Sequence, residues 1–334
     1  MIRVLDRGLL ATVQDLGRWG YQRNGVSPSG AMDSVSHRVA NVLVGNDENA
    51  ATLEITLMGP ALEFETDALV AICGGDLSPR ISDLPLRGWR AVYVTRGSAL
   101  TFHNLAWGSR VYLAVGGGID VPMSMGSRST HLQAGFGGVK GNALRKGDRL
   151  AIGRPSEATL HSMERASARL GPIPFAMSER ALDPVRLGYH QLNRPVRVTL
   201  GPHFQMFDDE DQRVLLGESF TVSEHSDRMG YRLSGHLLRS GSGADIISQA
   251  VLHGTIQIPP GGEPITLMAD RQTVGGYPIV AQVISGDLPT MAQLKPGDHV
   301  RFEAVSVENA QAALSLRESR LQSMLEEVSN GASG

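Results

Sequence analysis

The chain has 334 residues with 31 basic and 34 acidic side chains and a single cysteine, Cys73. A near-balanced charge without a basic stripe argues against a nucleic-acid groove or a polybasic membrane patch. One cysteine excludes a disulfide framework or a thiolate metal cluster and fits a reducing compartment. Arg3, Asp6, Arg7 and Asp15 interrupt the N-terminal apolar run, which is therefore not a signal peptide. No apolar run approaches the roughly 18–20 residues of a membrane span, so a soluble cytoplasmic protein is expected.

In chain order, residues 2–5 and 9–13 read as short strands, followed by the glycine-rich lead-in QDLGRWGYQRNGVSPSGAMD. A helix over about 30–44 comes next, capped by Asp33 or Ser29. Its buried stripe is Val35, Val39, Val42 and Leu43, and Gly45–Asn46 stops it. From Ala51 to Gly153, short runs rich in Val, Ile, Tyr and Phe alternate with turn residues, which suits a barrel or sandwich and not a βαβ fold. Residues 154–190 carry Pro155, Pro172, Pro174 and Pro184 with little periodicity and read as a connector. A second strand-rich unit runs from Val196 to Val305, with a short helix within Phe207–Gly217 whose acidic residues suit its N-terminal end. The tail over 306–329 forms another helix with an apolar edge of Leu321, Met324, Leu325 and Val328. The expected fold is mainly β, with two barrel-like units and few helices. Its parts are an N-terminal subdomain over 1–165, a connector over 166–190, a second barrel over 191–310 and a C-terminal helix over 306–330.

The densest chemistry lies between Val222 and Gly286. Ile256, Ile258, Ile265 and Leu267 alternate on either side of PPGGEP, a reversal between two strands. Asp270 and Gln272 follow the second strand and are expected at a sheet rim, where they orient water or a substrate amide, or else make an Asx-turn. Arg228 and Arg232 would share a strand face. The Arg228 fork suits a carboxylate or phosphate, or else pairs with Asp245 or Asp270. Tyr277 follows Gly275–Gly276 and is either a plain turn residue or a pocket wall. Asp15, Arg18 and Asp33 lie in the glycine-rich lead-in, where Asp33 reads more as a helix cap than as an acid. No phosphate loop, Rossmann glycine pattern, H-E-x-x-H or G-x-S-x-G elbow is present, and the ten histidines show no metal-ligand spacing.

Longer segments are more specific. TVQDLGRWGYQRNGVSPSGAMDSVSHRVANVLVGN, LEITLMGP, YLAVGGGIDVP, GSRST, SDRMGYRLSG and LMADRQTVGGYP resemble the biotin-dependent carboxyltransferase A/B-subdomain family, in order, from Met1 to about Val305. Its stand-alone members are the C component of 5-oxoprolinase and KipA-type proteins. The resemblance implies a cyclophilin-like second barrel, a KipI-like partner (the 5-oxoprolinase B component) and a separate A component. Together these would hydrolyse 5-oxoproline to glutamate with ATP and magnesium, the chain being inactive alone. It locates these positions, and the roles are inferred from their chemistry: Arg228, Asp270 and Gln272 as catalytic residues, Tyr231, Gln257, Thr273, Gly276 and Tyr277 as substrate-binding, and Asp15, Arg18 and Asp33 as secondary candidates. No hairpin like that of a biotinyl domain is present, so covalent biotin on this chain is not expected. Two alternatives follow from the same resemblance: a regulatory module that sequesters a histidine-kinase inhibitor, and a carboxyltransferase half working with a biotin carrier in trans.

Overall fold

A computed structural model of the chain describes residues 1–179, 181–189, 194–239 and 246–331, with side chains as far as 328. The described residues are mostly β, with five α-helices: α1 (Ser34–Leu43), α2 (Glu157–Ser167), α3 (Asp209–Gly217), α4 (Leu288–Ala292) and α5 (Val307–Gly331). Two compact units form, and they interleave along the chain. The first takes Met1–Arg18, Asp33–Leu187 and the chain from Arg320 onward; the second takes Trp19–Met32 and Gly188–Ser319. The contiguous boundaries read from sequence therefore differ from this division at both ends.

The first unit contains a seven-stranded and a six-stranded sheet. Alternate residues of both sheets, among them Val4, Leu62 and Leu100 from one and Leu53, Val70 and Val111 from the other, meet in one core. The strand Ala68–Asp76 is buried on both faces. One face turns to that core, and α1 lies against the strand, burying Val35, Val39 and Leu43 while Val42 is only half-buried. The Asp33 side chain caps α1 by accepting from the Ser36 amide at 3.0 Å, which satisfies one of the helix's first amides. In the stretch expected to be a connector, α2 starts on the Ser156 cap, and the strand Phe175–Met177 pairs with Ala91–Val94. Only Thr159 of α2 is buried, so the helix has no apolar stripe for periodicity to detect.

The second unit is an eight-stranded sheet that almost closes on itself. Its two outermost strands, His299–Val300 and Phe302–Ala304, are halves of one stretch of chain. At Arg301 the chain passes from pairing with Phe220–Val222 to pairing in parallel with Val196–Leu200. Closure removes the unpaired edges that an open sheet would expose. The interior is apolar, with Phe204, Phe220, Tyr231, Ile256, Met268, Met291 and Phe302 among its members. The reversal at PPGGEP joins Thr255–Gln257 to Ile265–Leu267 in antiparallel register. A separate two-stranded antiparallel ladder, Gln249–Ala250 with Val274–Gly275, forms a flap. In α5, Leu321, Met324 and Leu325 are buried while Val307, Leu314 and Leu316 are exposed.

Candidate functional site

In the second unit the site begins with a turn. Asp227 Oδ1 accepts from the amides of Met229 (2.7 Å) and Gly230 (3.2 Å), an Asx geometry that launches the strand Gly230–Ser234. Backbone pairing runs past that strand's start: Met268 N–H donates to Met229 O and Asp270 N–H to Arg228 O, each at 2.8 Å. Arg228 and Asp270 therefore stand side by side across the ladder. Arg228 Nε donates to Asp270 Oδ2 and Nη2 to Oδ1, both at 2.9 Å, and Nη2 also donates to Gly30 O at 2.7 Å. Ser29 Oγ donates to Asp270 Oδ1, and Ser27 Oγ to Ala269 O at 3.2 Å. Ser29 and Gly30 adopt left-handed backbone, with φ of 57° and 91°, which turns the SPSG segment over the pair. Arg228 is 4% exposed and Asp270 3%.

This geometry corrects several expectations. The Arg228 fork is occupied by Asp270, the ion-pair alternative, and is not open to an external anion in this structure; Asp245 lies outside the described residues. Arg228 and Arg232 do not share a face as members of one strand, because the strand starts only at Gly230, and Arg232 is exposed. Tyr231 is a core side chain, 2% exposed, with its hydroxyl donating to Leu294 O at 3.3 Å. It fills the barrel interior. Asp270 is buried, not presented at a rim.

The flap brings other expected residues together. Gln257 is 1% exposed, and its Nε2 donates to Tyr277 O at 3.2 Å. A Cβ on Gly275 would lie 2.8 Å from that same Nε2, so a side chain there would displace the Gln257 amide. Val251 N–H donates to Thr273 O at 3.1 Å. Gln272, Gly276 and Tyr277 are exposed and Thr273 half-buried, leaving these four accessible on the flap and the segment leading into it.

Arg271 and His253, beside the pair, were not singled out from sequence. Arg271 is 4% exposed, yet its Nε has no hydrogen-bond partner and its Nη1 makes only a 3.4 Å contact to Met268 O. Burial lowers its pKa to about 10, with Asp270 opposing. His253 Nε2 is likewise buried without a partner. Burial, and then the charges of Arg271 and Arg228, lower its pKa to about 3, so it is neutral at physiological pH. The one sequence signal was the position of Arg271 in LMADRQTVGGYP, next to Asp270. Nothing in its spacing separates it from a surface arginine.

In the first unit, the secondary candidates are anchors. Asp15 accepts from Gly17 N–H (2.8 Å), Arg128 N–H (2.6 Å), Ser127 Oγ (2.7 Å) and Ser129 Oγ (2.5 Å). Arg18, 1% exposed, donates to Ser129 O and lies 4.7 Å from the Phe136 ring centroid, a cation–π contact. Asp33 is the α1 cap, and its own amide donates to the Tyr112 hydroxyl at 2.8 Å. Tyr112 in turn donates to Glu54 Oε2 at 2.7 Å.

Among the described residues no three His, Cys, Asp or Glu side chains are grouped to hold a metal ion, and no helix is long and apolar enough to cross a membrane. A model of the carboxyltransferase domain, subdomain A and B, matches residues 24–304. The chain is 38% identical over 314 residues to the 5-oxoprolinase C component of Escherichia coli (strain K12), covering 93% of each chain. To the Haemophilus influenzae protein of the same name it is 36% identical over 310 residues, again covering 93% of each. The crystal structure of the K. lactis urea amidolyase superposes with a TM-score of 0.83 at 31% identity, over 97% of this chain but 20% of that one; the chain corresponds to about a fifth of that protein's length. With sequence and fold agreeing along nearly the whole chain, it belongs to the carboxyltransferase subdomain A and B family.

Proposed function

We propose that the chain is the C component of a heteromeric ATP-dependent 5-oxoprolinase, acting with a KipI-like B component and an A component in the cytoplasm. The observation that carries this is the end-to-end match to the 5-oxoprolinase C components, 93% of both chains. A five-membered lactam is a resonance-stabilised amide with a poor leaving group, and ATP with magnesium would supply the activation it needs before water can open it. Within that complex the part assigned to this chain is contact with the substrate. The Arg228–Asp270 pair fixes the SPSG segment and the start of the flap segment. Gln272, Thr273, Gly276 and Tyr277 meet substrate from the flap, and Gln257 holds that flap through Tyr277 O.

The test is to purify the chain with its KipI-like partner, add the A component and measure ATP hydrolysis that depends on 5-oxoproline. Turnover requiring all three chains supports the proposal; a tight pair without turnover favours a regulatory binding module. The TM-score of 0.83 to a urea amidolyase over 97% of the chain favours one further reading, a carboxyltransferase half served by a biotin carrier in trans. Activity dependent on bicarbonate and a biotinylated carrier would establish that reading instead.

A further inference from the structure

Among the described charged groups that meet beside the flap, one cation is left over. Asp270 is the carboxylate nearest in sequence to Arg271, but its oxygens already take two bonds from Arg228 and one from Ser29. Arg228 and Asp270 cancel, His253 is neutral, and Arg271 leaves one positive charge largely out of water with an unbonded Nε. A buried charge without a counter-ion is costly, and proteins keep one where an anion arrives to meet it. His253 Nε2 is a second buried polar atom with nothing to bond. We propose that Arg271 and His253 form a receiving site for a carboxylate group, which is that of 5-oxoproline if the function proposed above holds.

The chemistry favours a carboxylate over a phosphate. The surplus is a single positive charge, which one carboxylate neutralises and a phosphate dianion would overshoot. A guanidinium offers parallel N–H donors matched to two carboxylate oxygens. Neutral imidazole adds one N–H donor from Nε2 in the tautomer that protonates that nitrogen. Gln272, the next residue in the chain, is exposed.

The site is tested by following the thermal midpoint of the full chain against 5-oxoproline, acetate and inorganic phosphate, for the wild type and for Arg271→Met. The expected result is that 5-oxoproline raises the wild-type midpoint and that Arg271→Met weakens its apparent affinity at least tenfold. Arg271→Lys keeps the charge without the fork and should fall between them. Should Arg271→Met not fold, the His253 ring resonances of the wild type decide: a carboxylate bound beside the imidazole raises its pKa. If acetate separates wild type from variant and 5-oxoproline does not, the carboxylate site stands and the 5-oxoprolinase reading fails. If phosphate alone separates them, or no anion does and His253 is unmoved, the site is overturned.

Discussion

Arg228 and Arg271 are buried to the same 4% exposure and both lie in the field of Asp270, yet only Arg228 is bonded to it. The first arginine is spent on structure, since its fork is full and it ties Gly30 to the barrel. The second carries its charge unmet. The same residue type in the same surroundings thus has opposite energetics: removing a partner from the first leaves a stranded ion, whereas removing the second relieves one.

The largest effect should come from breaking the filled pair. Asp270→Ala strands Arg228 and deprives Ser29 of its acceptor, and should cost about 3–5 kcal/mol in denaturant unfolding. Adding Arg228→Met should restore much of that loss, because the uncompensated charge goes with it. Arg271→Met should show no loss of comparable size. Equal costs for Asp270→Ala and Arg271→Met would erase the distinction between the two arginines.

A smaller effect compares the two units through one histidine in each. His37, fully buried between Thr52 and Asn41 in the first unit, has its pKa lowered by burial to about 4; His253 in the second is lowered to about 3. A folded-state pKa below the unfolded value of 6.5 means that the unfolded chain binds the proton first. The stability is therefore present above pH 6.5 and is lost as pH falls toward 4. For His37 the shift is worth on the order of 3 kcal/mol. His37→Gln should flatten the acid limb of the stability profile between pH 6.5 and 4. An unchanged limb would mean that His37 is protonated in the fold.

What the sequence disclosed and what it concealed divides along the range of the interactions. Asp33 with Val35, Val39 and Leu43 made α1 legible, and alternation around PPGGEP made the Thr255–Gln257 and Ile265–Leu267 hairpin legible, because both are local periodicities. The interleaving of the units was not legible: Ser29 meets Asp270 across 241 residues and Gly30 meets Arg228 across 198, and no spacing encodes such a contact. For Arg228, composition and spacing admitted an ion pair or an anion site, and only tertiary geometry chose the pair. Tyr231 read as a site residue because a tyrosine carries a polar tip, but that tip finds a carbonyl inside the core.

The smallest effect tests how the accessible flap is held, as against the locked pair. A methyl group on Gly275 would press on the Gln257 amide at 2.8 Å, and the amide would yield by giving up its bond to Tyr277 O. Gly275→Ala should therefore cost about 1 kcal/mol, the net worth of one such bond. Gln257→Ala added to it should cost less than it does alone, since the two changes remove the same bond. Additive costs would place the strain elsewhere on the flap and leave Tyr277 without the anchor assigned to it. In the complex proposed above, loosening Tyr277 should raise the KM for substrate more than it lowers kcat, if Tyr277 positions substrate without entering the chemistry.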